Sequence, residues 1–300
     1  MKTLLNDINR LKVYCKIHDY AGWDPYDGLN ANIISKTFLK RVYFVRLFWI
    51  QLFKKLPFNL RPFFLINRQH NPKGIGLFIS GYCQLLDFYE SSNNVEELRQ
   101  VREEIIYLAD KLISLVSTGY SGDCWGYPFD WQNRVFFQPK NTPTVVATSF
   151  AADALFAAYE RTGVKRYLSS ALSACEFVRM DLNRSYNADG TFVFSYSPLD
   201  TSRVYNASLL GSRLLAKSLL YKDSNETLKL VAASTHAVVS KQSAKGSWIY
   251  GEAKVQNWID SFHTGFNLEC LYEIARITND DTFKNSFDKG LSFYLQSFFE

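Results

Sequence analysis

Three stretches of this chain, 142–160, 202–221 and 258–276, are near copies of one another, and a weaker copy spans 72–90. Aligned, they place Ala147, Asn206 and His263 at equivalent positions, in steps of 59 and 57 residues. A chain that repeats one unit at such a period stacks its copies around a shared core. The copies are apolar nearly all round, and Asp153 is the only charge between Pro143 and Tyr159. A helix of that kind is buried on most faces. Thr142 before Pro143 predicts an N-cap followed by proline at the first helical position. Between the copies lie amphipathic segments, 95–117, 164–183 and 225–241. In the first, Leu98, Val101, Ile105, Leu108 and Leu112 fall at helical spacing. Buried inner helices alternating with half-exposed outer ones predict an all-α fold, an α/α toroid of helix hairpins around one axis.

Connection lengths pick out a working face. Each inner helix reaches its outer helix through a short polar turn, at 161–164, 222–225 and 278–281. Each outer helix returns through a long loop, roughly 118–142, 184–201 and 242–257, and all of these emerge at the N-terminal ends of the inner helices. The loops share a composition: Gly122-Asp-Cys-Trp-Gly-Tyr-Pro-Phe-Asp-Trp-Gln132, Asp189-Gly-Thr-Phe-Val-Phe-Ser-Tyr196 and Gly246-Ser-Trp-Ile-Tyr-Gly251. A fourth cluster, Gly22 to Asn30, opens the chain. Alternating aromatics predict short extended pieces, and flat rings beside Asp, Asn and Gln are how proteins hold sugars. A single domain is expected over 1–300. Residues 1–70 would supply the first aromatic loop and a basic amphipathic helix, and 71–300 the hairpins. With four inner helices, the ring is either smaller than six hairpins or incomplete at the C-terminus.

Composition narrows the function classes. Aromatics reach 16%, while Pro and Gly number only 8 and 15, which favours long regular elements over disorder. The five cysteines, 15, 83, 124, 175 and 270, include no CxxC pair, so neither a zinc site nor a disulfide frame is expected, and a reducing compartment fits. The first residues lack the apolar core of a signal peptide. No run of about 18 uncharged apolar residues spans a membrane. There is no Gly-rich phosphate loop and no nucleic-acid motif, so no cofactor, metal or nucleic acid is expected. Net charge is +5, but no acidic residue lies between Asp27 and Asp87. If 36–55 is one helix, Lys36, Lys40, Lys54 and Lys55 share a side with Arg41 at its edge, opposite Phe38, Leu39, Val42, Trp49, Ile50 and Phe53. Such a helix either lies on an anionic membrane or turns a solvated basic face outward.

Candidate site residues cluster at the inner helix N-termini. Asp260 and His263 share a helix face and read as an acid/base pair with Asp260 orienting the imidazole, or as an N-cap and a core histidine. Arg203, Tyr205 and Asn206 fall at the matching place one repeat earlier. Arg203 and Asn206 could neutralise a uronate carboxylate while Tyr205 moves a proton, since abstraction beside a carboxylate requires its charge to be masked. Asp130, paired with Asp260 or Asp24, would make the carboxylate pair of a glycosidase; its plainer reading is a turn residue. Trp23, Trp125, Tyr127, Trp131, Trp248, Tyr250 and Trp258 are candidate stacking surfaces, Trp125 and Trp248 foremost. Lys73 either enters the cavity mouth or is solvated.

Trp23-Asp-Pro-Tyr-Asp-Gly-Leu-Asn30, Trp125-Gly-Tyr-Pro-Phe-Asp-Trp131, Thr142-Pro-Thr-Val-Val-Ala-Thr148 and Asp260-Ser-Phe-His-Thr-Gly-Phe-Asn267 together resemble bacterial polysaccharide-biosynthesis proteins of α/α-toroid fold. That group is broadly akin to six-hairpin glycosidases and to the C-terminal domain of glucuronyl epimerases. The resemblance spans most of the chain. It implies a carbohydrate-active protein working on an oligosaccharide or polysaccharide precursor, with epimerase or lyase chemistry and hydrolysis as rivals. It also implies a further inner helix carrying Asp and His beyond residue 300. The cysteines point to a cytoplasmic setting, and the basic segment Lys36–Lys55 to peripheral contact with the inner membrane. A non-catalytic glycan-binding or assembly protein is the second class. A terpene-cyclase-like toroid is the third and weakest, because no DDxxD-like cluster lies on an inner helix.

Overall fold

A computed structural model of the chain describes residues 2–91, 94–132 and 136–300. Residues 133–135, inside the first long loop, lie outside the described residues. Helix α1 (Lys2–Ile17) opens the chain; the sequence reading did not anticipate it. Lys12 and Lys16 tie it to Glu97 and Glu104, at 3.3 and 2.5 Å. The segment 36–55 is not one helix. After α2 (Asn32–Ser35), a 3-10 turn at Phe38–Arg41 and extended backbone at Val42 precede α3 (Tyr43–Lys55). The break rotates Phe38 into solvent, whereas the single-helix wheel had set it opposite the lysines.

Four hairpins follow. The inner helices are α4 (Pro72–Ser91), α6 (Val145–Thr162), α8 (Tyr205–Ser218) and α10 (Ser261–Thr278). Their outer partners are α5 (Val95–Ser114), α7 (Lys165–Met180), α9 (Asn225–Val239) and α11 (Asp281–Phe298). Each inner helix packs on the next, α4 on α6, α6 on α8, α8 on α10, and each pairs with its own outer helix, which is the α/α-toroid arrangement. The predicted stripe of α5 buries Val101, Ile105, Leu108 and Leu112. The cap of α6 is Thr144, whose side chain accepts from the Ala147 amide; Thr142 and Pro143 stay outside, held by a bridge between Pro143 and Gly126. The long loops carry two antiparallel ribbons, β1 (Trp131–Gln132) with β2 (Phe137–Gln138), and β3 (Arg184–Tyr186) with β4 (Phe192–Phe194).

One apolar cluster joins all four hairpins, and 26–66 packs around two smaller ones centred on Leu29, Ile34 and Ile50, and on Ala31, Phe53 and Ile66. The one charge between Pro143 and Tyr159 has partners. Asp153 meets Arg213 and, at 2.9 Å, Lys217, both on α8, and these reach Glu269 and Glu273 on α10. Each of these helices supplies its charge about two turns from its start, ~12 Å at 1.5 Å per residue. The result is an ionic layer below the helix N-termini, centred on the buried Arg213 and open to solvent at Glu269. Removing one member of such a layer strands the others.

Candidate active site

The long loops that precede α6 and α10 border a cleft of about 690 Å³ lined by Tyr26, Lys54, Trp131, Tyr250 and Trp258, with α3 as its far wall. Tyr250 and Trp258 stack at 4.4 Å with an 8° interplanar angle, and Trp258 keeps 40% of its surface exposed. Trp131 stands edge-on to Tyr26 and Tyr127 and tilted against Tyr196. These rings supply the flat apolar faces that a pyranose needs.

His263 sits behind the Tyr250–Trp258 stack. Asp260 is the N-cap of α10: its Oδ1 accepts from the His263 amide at 2.7 Å. The same carboxylate faces Nδ1 of the ring, with Oδ2 at 2.9 Å and Oδ1 at 3.0 Å. A carboxylate at Nδ1 fixes the proton there and leaves Nε2 as the basic nitrogen. The ring is held edge-on by Tyr250 at 4.6 Å, Trp258 at 5.3 Å and Phe262 at 5.2 Å. Cap and acid/base pair, set out from the sequence as alternatives, are the same two residues. Asn206 and Asn267 line a narrow crevice beside His263, distinct from the cleft and joined to it through Tyr250 and Trp258, and each buries a side-chain carbonyl with no hydrogen-bond partner among the described residues.

Across the ring, Lys73 lies in the first turn of α4. Its ammonium stands 4.4 Å over Phe150 and 5.7 Å from the Phe266 centroid, and burial pushes its pKa down, opposed by the Asp24 charge. Burial also pushes the Asp24 carboxyl up, against hydrogen bonds from the Tyr26 amide and the Asn71 side chain. Tyr127, which interacts with Tyr196, Thr144 and Asp24, and Tyr250 are both raised by burial to about 12, so their phenols are neutral donors at ordinary pH. The sequence reading passed over Tyr196 and gave Lys73 no firm place. A basic residue two positions after Asn71, which caps the turn at 3.1 Å from the Lys73 amide, was the available signal.

Several expected site residues are placed elsewhere. Trp125, at 0% exposure, and Trp248 lie in the core, where their indole N–H groups donate to Leu112 O and Val238 O at 2.8 and 3.1 Å. They close the C-terminal ends of α5 and α9 and present no ring to a ligand. Arg203 is fully engaged by Ser185 O, Asn187 Oδ1 and Glu252, at 2.7, 2.7 and 2.8 Å. Tyr205 is buried and donates to Glu252 at 2.9 Å. Asp130 is buried, 2.5 Å from Lys40, and accepts from the Lys140 amide, so it is a turn residue. Trp23 gives its N–H to Ile66 O at 2.8 Å, carries Arg68 at 4.6 Å over its ring, and lines a small pocket of about 120 Å³ with Asp24 and Asn71. Among the described residues no group of three His, Cys, Asp or Glu could hold a metal ion, and no helix is long and apolar enough to cross a membrane.

No family model and no curated protein matches this sequence. Solved structures do match. A D-mannose isomerase aligns with a TM-score of 0.53 and 15% identity, over 75% of this chain and 58% of that one. A cellobiose 2-epimerase from Bacillus thermoamylovorans aligns at 0.55 and 11%, over 91% and 74%. A GH76 α-mannanase from Bacteroides thetaiotaomicron aligns at 0.58 and 12%, over 77% and 62%. The chain thus spans about three fifths of the length of the isomerase and the mannanase. What these structures share with it is the α/α-toroid fold.

Proposed function

We propose that this protein is a carbohydrate-active enzyme that moves a proton at carbon on an acidic, uronate-containing saccharide, as an epimerase or a lyase does, in the making or modification of a bacterial polysaccharide. The observation that carries this reading is His263, held by both oxygens of Asp260 and packed behind the Tyr250–Trp258 stack at the cleft. Nε2 takes the proton beside the sugar carboxylate, and Asp260 stabilises the imidazolium that forms. The abstraction leaves an enolate-like carboxylate, whose charge must be masked. Arg203 and Asn206 were the expected masks, but Arg203 is already engaged. Lys73 takes that role: its ammonium is set over aromatic faces, and burial disfavours its charge until an anion arrives. The neutral phenol of Tyr250, which borders the cleft and packs on His263, returns a proton or protonates a leaving oxygen. Tyr205, tied to Glu252, is not.

The test is incubation with uronate-containing oligosaccharides in D2O. With the natural protein and not with His263→Gln, either deuterium should enter at the carbon beside the carboxylate of an epimerised product, or an unsaturated uronate should form by elimination. Substrate turnover that gives neither product would overturn the reading. Hydrolysis is the second reading, and one observation favours it: burial raises the Asp24 carboxyl, as a general acid requires. It expects Asp24→Asn, and not His263→Gln, to abolish turnover. Tryptophan fluorescence that responds to saccharide with no product from either pathway would leave a glycan-binding protein.

A further inference from the structure

The 59 residues from Gly28 to Leu86 contain no carboxylate and nine lysines and arginines. Several of these cations are committed to the fold: Lys40 to Asp130, Arg61 to Asp27, and Arg46 to Gln132. Lys36, Arg41, Lys54 and Lys55 remain exposed. The same region exposes phenylalanine to an unusual degree. Phe44 and Phe48, one turn apart on α3, are 77% and 65% exposed, and Phe58 and Phe63, just beyond its C-terminal end, are 73% and 82% exposed. Helical spacing puts Phe44 and Phe48 on the outward side of α3, opposite the buried Ile50 and Phe53, while Gln51, Lys54 and Lys55 border the aromatic cleft. Single exposed apolar residues need no explanation, but several large rings on one small basic region do.

We infer that this face, the outward side of α3 with the segments on either side of it, docks onto an anionic lipid bilayer. Phenylalanine rings enter the acyl boundary while lysines and arginines meet the headgroups, and each needs the other, because one short helix supplies too little of either alone. The absence of acidic residues makes the charge complementarity one-sided, as a negatively charged surface requires and a mixed-charge protein interface does not. The inward edge of α3, through Leu47, Ile50, Gln51, Lys54 and Lys55, is also a wall of the aromatic cleft. A saccharide carried at the bilayer surface would therefore lie beside the cleft. That consequence rests on the saccharide reading above; the docking does not, and its test uses no saccharide.

The experiment is flotation of the full chain with phosphatidylglycerol vesicles and with phosphatidylcholine vesicles. Binding is expected to the first and not the second, and to be lost on raising salt to about 0.5 M. Phe44→Ser/Phe48→Ser should weaken binding by about tenfold or more with circular dichroism and turnover unchanged. Lys36→Gln/Arg41→Gln should weaken it by about fivefold per charge. Equal binding to both lipids, or none to either, would overturn the proposal. So would a dimer in solution that Phe44→Ser/Phe48→Ser converts to monomer, which would assign the face to a second copy of the chain.

Discussion

The hairpins built on α6 and on α10 are nearly the same object above their outer helices and different objects at their first turns. Over α6, Gly122 lets the loop lie against α7, and any side chain there would meet Ser173 O at 2.0 Å; Trp125 then closes the end of α5. Over α10, Gly246 lies against α11, where a Cβ would meet Lys289 O at 2.4 Å, and Trp248 closes the end of α9. In the intermediate repeat the same office is filled by another donor, Arg184, which gives a hydrogen bond to Arg179 O at the end of α7 at 2.7 Å. One turn away the copies part. Thr144 caps α6 and Ala147 follows it, whereas Asp260 caps α10 and His263 follows it. What the repeats keep holds the ring together; what they vary is chemistry. That is why Trp125 and Trp248, chosen as ligand surfaces because they match, are scaffold.

Substitutions can break that division or sharpen it. The largest effect is expected from His263→Gln, about 10²–10⁴-fold less C–H exchange with the thermal midpoint essentially unchanged, measured by deuterium incorporation and calorimetry. A matching loss of stability would put His263 with the scaffold. The reverse holds for Trp125→Ala and Trp248→Ala, each expected to cost about 3–5 kcal/mol in urea titration because a large buried side chain and a helix-end hydrogen bond go together. Gly246→Ala should cost about 1–3 kcal/mol, since both the positive φ of 99° and the Lys289 carbonyl oppose a methyl group. Asp260→Asn is the sharpest case. Asparagine caps a helix as well as aspartate does, so stability should fall by less than about 0.5 kcal/mol while exchange falls by about 10²-fold.

The smallest effect concerns pH. Lys73 has a lowered pKa, so its charge, and with it any preference for acidic over neutral saccharides, is present at low pH and lost as pH rises through that lowered value. Binding measured by fluorescence should lose the preference at a lower pH than the ordinary lysine value of 10.5. Lys73→Gln should abolish it at every pH.

The sequence carried the fold well because the repeat and its apolar periodicity are local signals. They located the four inner helices and the end of the ring where the long loops gather. It missed α1, although Leu4, Ile8, Leu11 and Cys15 fall at helical spacing there, because that stretch lies outside the repeat, and it read 36–55 as one helix because hydropathy does not register the extended residue at Val42. The site was legible in part. The spacing of Asp260 and His263 on one helix could be read directly. The fate of Arg203, Tyr205 and Asp130 could not, because Glu252 and Lys40, which engage them, stand far off in sequence and meet them only through folding. Lys73 and Tyr196 gained their standing from burial, which no local pattern encodes.

Asp260 performs two tasks with one carboxylate, and this ties the local opening of a helix to the posture of the imidazole. If the first turn of α10 frays, the amide of His263 is released and the ring loses its anchor in the same event. Amide hydrogen exchange at His263 therefore counts the moments when the site is disassembled. Activity should decline with temperature along that local opening curve, ahead of global melting, and a saccharide that seats against the ring should slow exchange at this amide before it raises the melting point of the whole ring.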